Sequence, residues 1–477
     1  MNSVKASRRK IKIGFKGLSS TVDEKVMGWE YSPCSCNFRF RDGILAGGMG
    51  VDAAKGYMGD NYAVRRAYPE LPEGIAVKGV FTYLRREGSN YDDRIVVQTA
   101  EGKLYYTAIF AVDTWHEVEG YTLTGDATAV NYNYNGRDVL LMSSESSVLA
   151  VLDDDTVTQA ESAPRFSSLA VHYERIFGTH NGSANSVWFS DDFDPSNWTV
   201  STEEAGYIEF ADDMGDALAV ISFAGYLYVF REHGIYRLTA YGDQTEFSLN
   251  KLFTGTGRIY KNTITFCGDR IVFLSQDGLY SFDGYGAKRI AEEMPELVYP
   301  DTAAGAYRRG SYYLACITEL RKPIAAGFVN NTLLRYDFRD GNIDMMGGYD
   351  FTVLASVRAH RADDLIAVIG GGTEGKLGMI SDSGEVFGTP TEKTYYGPVN
   401  DLGSELVKTL RSVTLTTERS LSVAVIADGK RHVYGLKGSP LPQTVNTDVC
   451  GRRLGIELTA VTSEAEITPL TAVVDFT

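Results

Sequence analysis

The sequence predicts an all-β fold: a seven-bladed β-propeller with an extended N-terminal arm and a C-terminal β-sandwich. Three observations carry that expectation. A strand–tight turn–apolar strand pattern recurs seven times between Gly79 and Gly370. The apolar strands open at Ile95, Val139, Ile176, Leu227, Ile271, Tyr312 and Leu365, 37 to 53 residues apart on the numbering. A period near 40–45 with several strands per period is a blade repeat, and such units bury their faces only by stacking in a ring. Helix signals are almost absent; Ala291 to Leu297 offers a single turn.

The unit is clearest in the fifth copy. Thr263–Phe266 forms a first strand, Arg270–Ser275 a second, Leu279–Phe282 a third and Lys288–Ile290 a short outer edge. Gln276-Asp277-Gly278 between the second and third is hairpin chemistry. The same meander is read from Val80, Ala129 and Ala219 onward, and copies three, six and seven fit with longer loops, notably Glu319 to Asn331. Each blade reads as complete in itself, with no strand exchanged between the ends. A six-bladed ring with one copy misread is the open alternative. The repeat occupies residues 78–397. Residues 1–77, with turns at Gly43, Gly47, Gly48 and Gly50, read as an arm with short strands that docks. Residues 398–477 alternate over longer runs (Val413–Thr417, Leu421–Ala427), with a hairpin at Asp428-Gly429, and read as a sandwich.

Composition fits this architecture. The 477 residues include 29 Tyr, 22 Phe and 49 Gly, which favour strands joined by tight turns. Lys plus Arg total 46 against 62 Asp plus Glu, a net charge of −16. That balance disfavours a duplex-coating role, which needs clustered cations, and is compatible with a conduit that repels DNA and lets it slide. No run of about 18 apolar residues indicates a transmembrane helix. The five cysteines include a Cys34-x-Cys36 pair without a second pair at zinc spacing, so thiols are expected.

No catalytic, cofactor-binding or metal-ligating residue is assigned. Ser190 to Trp198 approximates a sialidase Asp-box, with Asp194 in place of glycine and Trp198 one residue late. That box is a structural hairpin, and the arginine–tyrosine–glutamate set of a glycosidase does not single itself out. The acidic pairs and triplets at Asp153–Asp155, Asp191-Asp192, Asp212-Asp213 and Asp363-Asp364 match no calcium-loop spacing and read as solvated turns. Basic residues gather at Lys5, Arg8, Arg9, Lys10, Lys12, Arg39, Arg41, Arg65 and Arg66. They are either a solvated tail with charged edges or an arm for an acidic partner, including another copy of this chain.

Four stretches together carry a family resemblance: Asn37–Leu45 (NFRFRDGIL); Arg175–Gly182 with Asn185–Asp191 and Asp194–Trp198; Gly225–Leu238; and Gly451–Leu458. The chain resembles the packaged-DNA stabilisation (tail hub) and tail nozzle proteins of short-tailed phages, and is closer to the compact stabilisation proteins because long insertions between blades are lacking. The resemblance implies a non-enzymatic virion protein assembled in the bacterial host cytoplasm. It would form a ring, a hexamer by analogy, below the portal and adaptor, with a distal tail protein as plug. Such a ring extends the DNA channel without sequence-specific contact and retains the genome until ejection. The alternative is a carbohydrate- or protein-binding propeller, or less readily a propeller glycosidase.

Overall fold

The computed structural model describes residues 7–58, 61–72, 75–180, 185–201, 205–255, 257–321, 330–360, 362–370 and 375–477. Lys5, Asn181 and Gly182 lie outside these, as does most of the 319–331 loop.

Seven sheets follow one another from residue 77 to 390, antiparallel apart from the Val386–Val51 pairing in the last, and each has one innermost strand. The innermost strands are Val77–Tyr83, Ala127–Tyr134, Phe166–His172, Ala217–Phe223, Thr265–Phe266, Ala304–Arg308 and Val353–Ala359. These are blades one to seven, so the sevenfold reading holds. The second strand of each blade is the apolar one for a physical reason: it is covered on both faces by neighbouring blades. Arg94–Thr99, Ile271–Ser275 and Ser311–Thr318 are buried at every position. Each fully buried aliphatic side chain there contributes about 1.5–3 kcal/mol.

Polar side chains on the inner strands join the blades around the centre. Asn131 donates to the Thr82 carbonyl (2.9 Å) and accepts from the Leu84 amide (2.7 Å). Thr128 accepts from the Leu169 amide and Ser168 from the Val220 amide, both at 3.2 Å. Tyr hydroxyls act similarly at the loop face: Tyr83 donates to the Asp138 carbonyl (2.8 Å), Tyr132 to that of Glu174 (3.0 Å) and Tyr228 to that of Gly284 (3.1 Å). Blade seven returns to blade one through the Arg358 amide on Thr82 Oγ1 (3.3 Å) and through His360 on Asp93.

One expectation is overturned. Blade seven is not complete in itself: Gly50–Ala53, from the arm, supplies its fourth strand, antiparallel to Leu377–Ser381 with Val51 opposite Ile380. The ring therefore closes with a strand exchanged between distant parts of the chain. Gly48 and Gly50 permit this clasp, because a Cβ on Gly48 would overlap the Asn37 carbonyl and one on Gly50 would press on Glu385.

The arm is stitched in at other points too. Ser7–Ile13 pairs with Leu470–Phe476 at the edge of a four-stranded sheet that continues through Lys408–Thr417 to Ser439–Gly451. A second sheet, Glu392–Tyr396, Leu454–Val461, Leu421–Ala427 and Lys430–Leu436, faces it. The sandwich thus begins ahead of residue 397, at Glu392. The 291–297 segment makes one turn, with the Met294 amide on the Ala291 carbonyl (3.1 Å), and then a short strand rather than a helix. A continuous core runs from the sandwich (Leu410, Val423, Leu458, Val474) through the arm (Phe15, Phe38, Phe40) into blades five and six (Val272, Leu314, Met345).

Candidate docking surfaces

The Ser190–Trp198 segment forms the loop between the two outer strands of blade three, and its polar groups are engaged in building that loop. Asp194 accepts from Ser196 N (2.9 Å) and Oγ (2.6 Å). Trp198, 1% exposed, donates to the Pro195 carbonyl and packs 4.6 Å from the Phe166 ring. Buried Arg175 donates to the Ser190 carbonyl (2.8 Å) and pairs with Asp192 (2.6 Å). The aspartates tie the turn and the tryptophan anchors it.

The acidic turns are met by arginines. Asp153 pairs with Arg137 (2.6 Å), and Asp154 with Arg94 (2.7 Å) and Arg85 (3.3 Å). Asp212 meets the fully buried Arg231, the Tyr236 hydroxyl and Lys251. Burial opposes ionisation there, but hydrogen bonds from Tyr236 and Lys251 and the Arg231 charge hold the Asp212 carboxyl well below the usual carboxylate range. Asp363 and Asp364 lie on the strand Ala362–Gly370, with side chains outside the described residues. Among the described residues no group of three or more His, Cys, Asp or Glu side chains is placed to hold a metal.

Cys34 and Cys36 border a cleft of about 750 Å³ with Met345, Val386, Pro390 and Tyr396, where the arm, blades six and seven and the sandwich converge. All five cysteines are unbridged thiols. The basic residues of the arm divide into two sets. Arg39 pairs with Asp382 (2.6 Å) and approaches buried Asp344 (3.9 Å), Arg65 lies over the Tyr57 ring, and Arg66 donates to the Val112 carbonyl (3.2 Å). On the edge strand, Arg8 pairs with Asp475 (2.7 Å) and Arg9 covers the Phe476 ring. Lys10 and Lys12 are exposed.

The surface that sequence reasoning missed is aromatic. At the blade-three turns, Tyr173 is 51% and Phe193 72% exposed, and Tyr241 of blade four is 65% exposed. The Tyr173 and Tyr241 rings meet edge to face at 5.2 Å, and the Phe193 amide donates to the Glu174 carbonyl (3.0 Å). Tyr173 and Phe193 both have positive φ, 52° and 57°, a conformation that disfavours bulky residues. Blade two has Asn135 (φ 52°) at the position equivalent to Tyr173. An aromatic residue where asparagine is cheaper is the signal that could have been read from the sequence. An exposed aromatic patch of this kind is a candidate docking surface.

Among the described residues two lysines are fully buried. Lys393 donates to the carbonyls of Gly384, Thr391 and Thr462, and Lys408 to those of Ser404, Leu406 and Arg452, all within 3.2 Å. Both ammonium groups lie inside the molecule and gather loop carbonyls around the sandwich.

No helix among the described residues is long and apolar enough to cross a membrane. No protein-family model matches the chain, and no curated protein matches it. Among solved structures, the chain is similar to the N-terminal part of BBS1 in complex with ARL6 (11% identity, TM-score 0.42, covering 65% of this chain and 93% of that one). It is also similar to YCF48 bound to a D1 peptide (12% identity, TM-score 0.39, 65% and 93%) and to the computationally designed Ika8 protein (12%, 0.36, 65% and 98%).

Proposed function

We propose that this β-propeller protein is a structural virion subunit of a tailed bacteriophage. In this reading it forms a neck, tail-hub or nozzle ring that extends the DNA channel and retains packaged DNA until ejection. One observation supports the reading above others: the stretch that opens the family resemblance, Asn37–Leu45, welds two units into one rigid block. The Asn37 side chain donates to the Glu392 carbonyl of the sandwich (2.7 Å) and accepts from the Gly347 amide of blade six (2.9 Å). Phe40 N donates to buried Asp344 (3.0 Å), and Leu45 N to the Ile467 carbonyl (3.1 Å). A block so joined transmits load between neighbours without hinging, as a channel wall requires. The net charge of −16 suits a lumen that repels DNA and lets it slide.

Electron microscopy of the purified protein and of the particle tests this: closed rings on the tail axis are expected, and isolated monomers in both would defeat it. The exposed Tyr173, Phe193 and Tyr241 favour a second reading, a propeller that binds a protein or carbohydrate on its loop face. That reading predicts a monomer that captures its ligand.

A further inference from the structure

Among the described residues the strand Ser7–Ile13 is paired on one side alone, with Leu470–Phe476. Its other edge presents main-chain N–H and C=O groups that a further segment can engage. It also concentrates cations on a chain of net charge −16. Arg8 and Arg9 lean on Asp475 and Phe476, while Lys10 and Lys12 point outward and make no ion pair among the described residues.

The aromatic patch on blade three has the opposite character. The charges of Asp194, Glu174 and Asp192 all reach Tyr132 and, after burial, raise its phenol above the ordinary value. The cation among them, Arg175, is buried and committed to Ser190 and Asp192. Asp192 is exposed and Glu174 and Asp194 are half-buried, each next in sequence to one of the exposed rings Tyr173 and Phe193. Carboxylate beside aromatic ring is the combination that holds ammonium and guanidinium groups by charge and by cation–π contact.

Among the described residues the two surfaces lie on different units of the chain. The sandwich that carries the basic edge shares its core with blades five and six, and the patch lies on blade three. A contact between different patches of two copies is heterologous, and its repetition gives a ring when the rotation between copies closes and an open filament when it does not.

We propose that the basic edge strand Ser7–Ile13 of one copy docks on the Tyr173–Phe193–Tyr241 patch of a second copy. This contact rests on the ring-assembly reading and specifies its interface. The test is sedimentation velocity of the full chain across a concentration series at low and high salt. Wild type self-associates, and salt weakens it. Tyr173→Gly with Phe193→Gly keeps both left-handed turns, so folding is retained; association falls about tenfold or more. Lys10→Glu with Lys12→Glu gives a similar loss, and adding Glu174→Lys to that variant restores part of it. Wild-type rings that tolerate every variant would overturn the contact while leaving the assembly reading intact. Absence of rescue by Glu174→Lys would overturn direct pairing. A wild-type chain that stays monomeric at every concentration would overturn the contact, and the assembly reading then stands or falls on particle images. If the glycine variants keep self-association but lose binding of a fluorescent oligo-lysine peptide, the patch serves a foreign basic partner instead.

Discussion

Asp93 and His360, 267 positions apart, meet at 2.7 Å where the seventh blade returns to the first. Asp93 is fully buried and also accepts from the His360 amide (2.6 Å) and the Arg85 amide (3.2 Å). One carboxylate therefore gathers donors from both ends of the ring. Asp93→Ala leaves those donors unsatisfied and is expected to cost about 2–3 kcal/mol, read as a lowered Tm in calorimetry. A change within the noise would show that closure does not depend on this pair.

The clasp strand makes a second prediction. Val51 is fully buried opposite Ile380, so Val51→Asp places an unpaired charge in the seam of blade seven. Limited proteolysis should then cut within 353–390 well before the sandwich, whereas the unaltered protein resists at both places. Equal cleavage of the two regions would argue against a local opening.

His172 links stability to pH. Burial pushes its imidazole down to about 4, and its Nδ1 meets Ser222 Oγ at 2.9 Å while Nε2 has no hydrogen-bond partner among the described residues. The native state keeps it neutral and the unfolded chain protonates it near 6.5, so the unfolded state binds more protons between those values. Stability is therefore flat above about pH 6.5 from this group and falls as pH drops toward 4, by on the order of 3 kcal/mol. His172→Gln should flatten that part of the acid limb in denaturant titrations at pH 7 and pH 4.5. An unchanged slope would assign the limb to other groups.

Lys408 supplies a fourth. Its three carbonyl partners come from the 404–406 loop and Arg452. Lys408→Met preserves the aliphatic stem yet strands those acceptors, and a loss of about 3 kcal/mol is expected in chemical denaturation. A stabilised methionine variant would mean that desolvating the ammonium outweighs its hydrogen bonds.

The blades were legible because their signals are local: an apolar second strand, then a turn rich in Gly and Asp, repeated within about 45 residues. The clasp was not. Gly50–Ala53 is four residues long, preceded by Gly47 and Gly48 and without measurable alternation, and its neighbour is remote, as the bond between Ser383 and Asp52 across 331 positions shows. Ser7–Ile13 reads as a charged tail because four of its seven residues are basic; its partner strand, Leu470–Phe476, lies far along the sequence. The start of the sandwich was placed late because Glu392–Tyr396 continues the spacing of the blades while pairing elsewhere. Of the site candidates, the Trp198 loop was read rightly as hairpin chemistry. Lys393 and Lys408 carried no mark, since lysine is by default a surface residue.

The seam of blade seven also sets an order of events during synthesis. The strand Gly50–Ala53 is synthesised ahead of every blade, yet its partner Leu377–Ser381 follows only after six blades have been made. At a usual rate of roughly 5–20 residues per second, the early strand waits for some tens of seconds with its edge uncovered. The nascent chain is thus an open arc until late in translation, and a ribosome that stalls before residue 377 leaves a product that no refolding of the earlier blades can close.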